Sequence, residues 1–462
     1  MKGVVGRFLV RGGWALVFIW SPSSILAQQT QRLSPLTLPE AVQMALERNP
    51  AHKFALADTR ASLADVKTAQ SSLLPHAAFS EVATRGNDPV YVFGSELRQQ
   101  QFMAADFALN ALNAPLPLGN FATRFSGTWN LFDSLGTWHG INRAERMREA
   151  AGSELDRTDQ EIVFRVVDSY YRVLLAKKEL DVAGQAIATA QAILERSRNR
   201  FETGVVVQSD YLSAQVRLAT RKEELIRAQN DLALARAQLS IAAGLSTGGE
   251  VDAADMLAER TLPARSLEDS EQRALLARPD LKRLRAQQAA QQQSVSVAKS
   301  AFGPRVDAFA DWELDNPTFL AGGGGSNWLA GIEVQFDLFE GGAKRAQLSH
   351  EEALQEKASA ASEMGADAVR LEVRRAYYDL DGARQQIDVA RTSVADAQEG
   401  LRINQNRYDS GLSTITDLLV AEDAARTSQM DYWEALSRYY IGYASLELAD
   451  GSLNAQSPVV KP

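Results

Sequence analysis

The chain has 462 residues and not one cysteine. That absence excludes disulfides, thiol catalysis and cysteine-held metal sites, and it removes the acceptor for an N-terminal lipid. Histidine is scarce: His52, His76, His139 and His350 are scattered, no two stand at metal-ligand spacing, and there is no HExxH. Positive charge is not in excess, with 49 Lys and Arg against 58 Asp and Glu and a net charge of −9, so the basic footprint of a nucleic-acid binder is missing. The glycine run 322–325 lacks the Lys-Ser/Thr of a phosphate loop and reads as a strand connection. No nucleophile-base-acid set is visible, which leaves a secreted hydrolase without support. After the first 27 residues there is no run of about 18 apolar residues, the minimum for a membrane-spanning helix. If this chain enters a bilayer, it does so as a β-barrel. Proline is absent between Pro117 and Pro263 and between Pro317 and Pro458, so nothing there interrupts a long helix.

What is present begins with residues 1–27, which read as an export signal. Lys2, Arg7 and Arg11 precede a short apolar core, WALVFIW at 14–20, and small residues follow up to Ala27. The remainder is rich enough in apolar residues, 45% against 23% charged, to fold.

The dominant pattern is internal repetition. An offset of 207 aligns Tyr170-Tyr171 with Tyr377-Tyr378, Asn199-Arg200 with Asn406-Arg407, Gly204 with Gly411, Asp210 with Asp417 and Gly244 with Gly451. Earlier in each half the offset is 229, pairing Ala45-Leu46 with Ala274-Leu275, Pro50 with Pro279 and Pro75 with Pro304. The first half therefore carries about 22 extra residues between Pro75 and Leu131, a loop that includes 88–93 (DPVYVF) and 102–107 and is positioned to cover a mouth. The expected organisation is a first repeat at 28–244, a linker at 245–265, a second repeat at 266–451 and a tail at 452–462. Each repeat opens with a helix, signalled in the first half by Thr37 and Glu40 at capping-box spacing. Two extended segments and two very long helices follow, joined by a tight turn at Gly204 or Gly411, where glycine tolerates the positive φ of a chain reversal. A helix of about 60 residues would be on the order of 90 Å long. Helices of that length point to coiled-coil packing.

The extended segments alternate with period two. In 121–131 (FATRFSGTWNL), Phe121, Thr123, Phe125, Gly127, Trp129 and Leu131 share one face. In 328–338, Trp328, Ala330, Ile332, Val334, Phe336 and Leu338 oppose Leu329, Gly331, Glu333, Gln335 and Asp337. Segment 306–314 behaves alike, and 77–84 is the weakest of the four. Such lengths suit membrane-spanning strands, with tryptophans where an aromatic girdle would sit. Four strands cannot close a barrel, and an open edge in lipid leaves backbone groups unpaired. Spanning strands would thus require several chains around one shared barrel.

The chain resembles the TolC-like outer-membrane efflux proteins, the outer membrane factors, over nearly all of its length after residue 27. The resemblance rests on 38–50 (LPEAVQMALERNP), 278–306 (RPDLKRLRAQQAAQQQSVSVAKSAFGPRV), 336–347 (FDLFEGGAKRAQ) and the duplicated turns 200–210 (RFETGVVVQSD) and 407–417 (RYDSGLSTITD). It implies a mainly α chain with membrane β-strands: a homotrimer with a twelve-stranded outer-membrane barrel and an α-helical barrel in the periplasm. It implies a passive conduit without cofactors, energised by an inner-membrane pump or ABC transporter. A periplasmic adaptor would meet the hairpin tips at Gly204 and Gly411. Asp417 matches an aspartate that rings the closed aperture, while Asp210 and Tyr408 match partners in the closing links. Ser413 stands where an arginine of those links is usual, and Val420 where a second aspartate ring would be. Asp417 and Asp210 also stand where aspartate caps a helix, so both roles stay open. A soluble periplasmic coiled-coil adaptor or scaffold is the competing reading.

Overall fold

The computed structural model describes residues 35–245, 251–319 and 324–461. The signal expected at 1–27 lies outside them, as do Gly322 and Gly323 of the glycine run.

Eleven-residue α1 (Leu38–Arg48) leads into α2 (Pro50–Ser71). The Thr37 N–H donates to the Glu40 carboxylate at 2.9 Å, which secures the first turn. Asn49 separates the helices, its side chain accepting from Ala51 N–H at 2.9 Å, and Pro50 supplies the preset φ of a first helical residue. Strand β1 (His76–Gly86) follows, then two short helices, α3 (Pro89–Arg98) and α4 (Leu109–Asn113), and strand β2 (Leu118–Phe132). The 67-residue α5 (Gly136–Glu202) and 35-residue α6 (Gln208–Ala242) form the first hairpin. The second half repeats the plan: α7 (Leu267–Ala277), α8 (Pro279–Ser300), β3 (Arg305–Asn316), β4 (Gly325–Gln335), then α9 (Ala343–Asp409) of 67 residues and α10 (Ile415–Ala449) of 35. The 67-residue α5 and α9 each extend about 100 Å, and α6 and α10 about half that. No helix among the described residues is long and apolar enough to cross a membrane.

The strands make one antiparallel sheet in the order β1-β2-β3-β4. Strand β4 stops at Gln335, short of the alternation read to Leu338, because its partner β3 starts at Arg305, opposite Gln335. Beyond that point no backbone remains to pair with, and Phe336, Leu338 and Phe339 run on exposed towards α9. The 22-residue excess of the first half is not an irregular loop: it holds α3, a 3-10 turn at Ala104–Phe107, and α4.

The main core lies where the hairpins converge, around α5. Val166, Val173 and Leu239 are fully buried there with Leu436 and Ala444, each large side chain worth roughly 1.5–3 kcal/mol. Tyr171 stacks on Tyr440 with ring centroids 4.8 Å apart, and the Tyr170 hydroxyl donates to Asp255 at 2.6 Å. The described part of the segment between the repeats wraps this core as a belt, with Val251, Ala253 and Leu257 buried. The C-terminal Leu453, Val459 and Val460 close it. Helix α5 packs on α6, α8, α2 and α10, whereas α9 packs on α10, α8 and α7. At the level of the hairpins, α6 and α9 are therefore the outermost helices of one chain.

Candidate functional site

The two hairpin turns are built alike. At the first, Gly204 N–H bonds to Phe201 O at 2.9 Å and Val205 N–H to Arg200 O at 2.8 Å. At the second, Gly411 N–H bonds to Tyr408 O at 3.0 Å and Leu412 N–H to Arg407 O at 2.8 Å. Both are Schellman closures, and they need a left-handed residue: φ is +74° at Gly204 and +73° at Gly411. Val205 and Leu412, one residue on, are exposed at 62% and 69%. The tips thus offer apolar side chains to the surroundings.

The helices leaving the turns differ. Helix α10 starts with a capping box. Asp417 N–H donates to Thr414 Oγ1 at 3.2 Å, and Thr414 N–H donates to Asp417 Oδ2 at 2.9 Å. That backbone donor, followed by the Thr414 hydroxyl, holds the exposed Asp417 carboxyl below the ordinary carboxylate value. In α6 the equivalent cap position is Val207, which has no side-chain acceptor, and Asp210 is half-buried in the first turn. Tyr408 is buried, and its hydroxyl lies 3.1 Å from Ser197 Oγ on α5. Arg200 lies over the Tyr408 ring at 4.8 Å and donates to the Tyr408 carbonyl. The structure therefore brings Tyr408 to Ser197 and Arg200; among the described residues Asp210 forms no hydrogen bond with Tyr408.

A stronger link between the hairpins lies higher up, at residues the sequence reading passed over. Arg221 on α6 is 1% exposed and grips Glu422 of α10 through two bonds, 3.1 Å from Nε and 2.6 Å from Nη2. Its Nη1 reaches Glu224 at 2.9 Å, and Arg217 holds Asp423 at 2.7 Å. Arg217 and Arg221 are four residues apart, hence on one helix face. That spacing was visible, as was Glu224 three residues on, but the partners on α10, Glu422 and Asp423, are about 200 residues away.

The sheet end has two unlike faces. Register places Phe79, Phe125, Trp312 and Trp328 in a single row across all four strands. Phe79 and Phe125 centroids are 5.1 Å apart, and Phe125 and Trp312 5.8 Å. On the same face and towards the helices lie Ala310, Ala330, Ile332 and Val334, the last two exposed at 68% and 66%. The opposite face is mainly polar, with Arg124 bonded to Glu313 at 2.6 Å, and Ser126 opposite Asp311. An exposed apolar band edged by aromatics on one side, and charge on the other, matches a lipid-facing and a water-facing surface. No cluster of His, Asp and Glu able to hold a metal occurs among the described residues.

A model of the outer membrane efflux protein family matches residues 41–245 and 271–452. The chain belongs to that family. Relatives include Protein CyaE of Bordetella pertussis, 27% identical over 425 residues, 90% of this chain and 82% of that protein. Outer membrane protein TolC of Escherichia coli is 22% identical over 437 residues, covering 91% and 83%. Among solved structures, VceC of Vibrio cholerae superposes with a TM-score of 0.75 at 19% identity, covering 90% of this chain and 96% of that one. The CmeC outer membrane channel of Campylobacter jejuni gives 0.76 at 17% identity, covering 94% and 92%. At those identities the structures speak for the fold. This outer membrane efflux protein has the mainly helical architecture, with four antiparallel strands, that its family resemblance implied.

Proposed function

We propose that this chain is one of three identical subunits of an outer-membrane channel, a passive conduit from the periplasm to the exterior. The observation that carries the reading is a set of open edges. Among the described residues, strands β1 and β4 each lack a partner on one side, although a membrane strand cannot leave its backbone unpaired. The outermost helices are open as well. On α6, Val216 and Ile226 are exposed at 67% and 58%, and on α9, Leu371 and Val389 at 70% and 68%. One chain thus ends in two different unfinished surfaces, the arrangement that head-to-tail contacts close into a ring. Three copies give twelve strands, above the roughly eight of the smallest membrane barrels.

In that ring, Asp417 would supply three carboxylates around the entrance, kept ionised by their caps and favouring cations. Tyr408 and Asp210 would lie at the same constriction. The exposed tips at Gly204 and Gly411 would meet a periplasmic adaptor, which couples the channel to an inner-membrane pump or ABC transporter. Fractionation and conductance test the reading. A heat-modifiable trimer in the outer-membrane fraction that conducts ions in planar bilayers is expected; a soluble periplasmic monomer would restore the scaffold reading. Asp417→Ala is expected to reduce cation preference, and unchanged selectivity would remove the ring.

A further inference from the structure

The insert between β1 and β2 has no counterpart between β3 and β4, and it does not hang free. Its segments are joined by an aromatic cluster, with the half-buried Phe102 edge-on to Phe93 at 4.9 Å and to the exposed Phe107 at 5.0 Å. Asp88 caps α3, accepting from Tyr91 N–H at 2.9 Å. The Tyr91 hydroxyl donates back to Thr84 O at 3.0 Å. The insert is pinned to the sheet by a buried amide chain. Gln99 is 0% exposed and donates to Gly119 O at 3.0 Å and to Asn120 Oδ1 at 2.8 Å. Asn120 donates to Asp315 Oδ1 at 2.6 Å, and Asp315 is also 0% exposed. Asn327 adds bonds to Asp315 Oδ2 at 3.3 Å and to Arg98 O at 3.4 Å. Arg98 reaches Glu313 at 3.3 Å. Even the backbone is fitted: a Cβ on Gly325 would lie 1.9 Å from Arg98 O.

Every sheet residue in this latch, Asn120, Glu313, Asp315 and Asn327, belongs to the polar face. The insert therefore sits on the side that faces water inside the barrel, not on the lipid side. It lies at the strand ends remote from the helices, since β1 begins directly after α2 and β2 ends directly before α5. Asn120 Oδ1 and both Asp315 carboxylate oxygens are supplied with donors, while Gln99 Oε1 is left without one; because buried polar groups lose stability when their partners are moved away, these matched pairs hold the insert in one place.

We propose that the insert is an exit filter. Resting on the channel reading above, three copies latched to the inner wall narrow the outer mouth and set the size of solute that leaves. Dimensions support it: eight-stranded barrels are just filled by side chains and barrels of 16–18 strands leave a wide aqueous channel. A twelve-stranded bore falls between, and each helix with its side chains occupies about 10–12 Å. The insert also brings exposed Val90, Met103, Phe107 and Leu109 to an otherwise polar wall, so the narrowing is apolar and favours solutes with little charge.

The absence of cysteine makes the test clean. Ser126→Cys puts a single thiol on the polar face of β2, six residues inside Asn120, about 20 Å along the strand. Intact cells carrying the full-length protein are treated with a small maleimide or with a maleimide on a long polyethylene glycol chain. This is repeated with residues 89–113 replaced by a short Gly-Ser turn, and with Gln99→Ala in the complete chain. The small reagent should label all three. The polymer reagent should fail with the insert intact, label strongly once it is removed, and label partially with Gln99→Ala, which keeps the filter testable if the deletion does not assemble. Equal polymer labelling with and without the insert, or exclusion that persists after removal, overturns the filter. Failure of the small reagent in every background would instead overturn the channel reading beneath it.

Discussion

The paired helices of the two halves match in length to the residue, yet the halves use them differently. The long helices α5 and α9 are both 67 residues, α6 and α10 both 35, α2 and α8 both 22, and α1 and α7 both 11. Their burial is unequal. Eighteen residues of α5 are buried against seven of α9, because α5 lies between other helices of its own chain whereas α9 borders it. The charges diverge too. Glu422, Asp423, Glu447 and Asp450 of α10 and its cap stand where the first half has Gln215, Val216, Ser240 and Ala243. Duplication copied lengths and turns; the side chains then specialised to the position each copy holds, and several now bind one half to the other.

The largest test of that comparison is the cross-link between halves. Arg221→Met strands the buried Glu422 carboxylate and takes a partner from the half-buried Glu224, and loss of one partner of a buried pair costs about 3–5 kcal/mol. Thermal unfolding of the detergent-solubilised protein, followed by its helical circular dichroism, should shift well downward, and Arg221→Met with Glu422→Met should regain most of the loss. A single variant as stable as the parent would show that the pair joins nothing.

Next is the carboxylate cluster found only in the second half. Glu447 is buried and pushed from its ordinary 4.5 up to about 7, by desolvation first and by the neighbouring Asp450 against the opposing pull of Arg265. Arg265 contacts Glu447 at 2.6 Å and Asp450 at 2.5 Å, so two carboxylates share one guanidinium. Folding raises this pKa, so the folded chain retains a proton that the unfolded chain releases between pH 4.5 and 7. The contribution of Glu447 is therefore most favourable below pH 4.5 and declines as the pH rises to about 7. Glu447→Gln should flatten the melting temperature across that window; an unchanged slope would assign the titration elsewhere.

The smallest effects concern the caps. Thr414→Ala removes the box at the second tip and should cost about 1 kcal/mol. Val207→Thr, which places threonine three residues before Asp210 as in the other half, should gain somewhat less, roughly 0.5–1 kcal/mol. Amide hydrogen exchange in the first turns of α6 and α10 reads both. If Val207→Thr leaves α6 exchange unaltered, the halves differ at the tips for a reason other than capping.

Much of the architecture was legible because it is written in period and punctuation. Alternation marked β2, β3 and β4, and the proline-free stretches marked the long helices. The Gly204 and Gly411 turns followed from the repeat and from the conformation only glycine adopts cheaply. The insert's helices were also signalled, since Asp88-Pro89 is an N-cap followed by proline at the first helical position, but the repeat made that stretch look like mere excess. What could not be read was pairing across distance. Neither the Tyr408–Ser197 contact nor the Arg221–Glu422 pair has a local pattern, because each joins elements about 200 residues apart. Asp417 shows the reverse: its local role, closing a capping box, is visible in one chain, whereas a carboxylate ring belongs only to an assembly.

The central claim is that one chain leaves β1 and β4 open so that neighbours can close them. Single cysteines placed on β1 and β4 of this cysteine-free protein test it directly, with cross-linking in outer-membrane vesicles read by denaturing electrophoresis. The account predicts a ladder of monomer, dimer and trimer that stops at three, formed only when both strands carry a thiol. Cysteine pairs along these strands that yield monomer alone, or a ladder that continues past three, would contradict it.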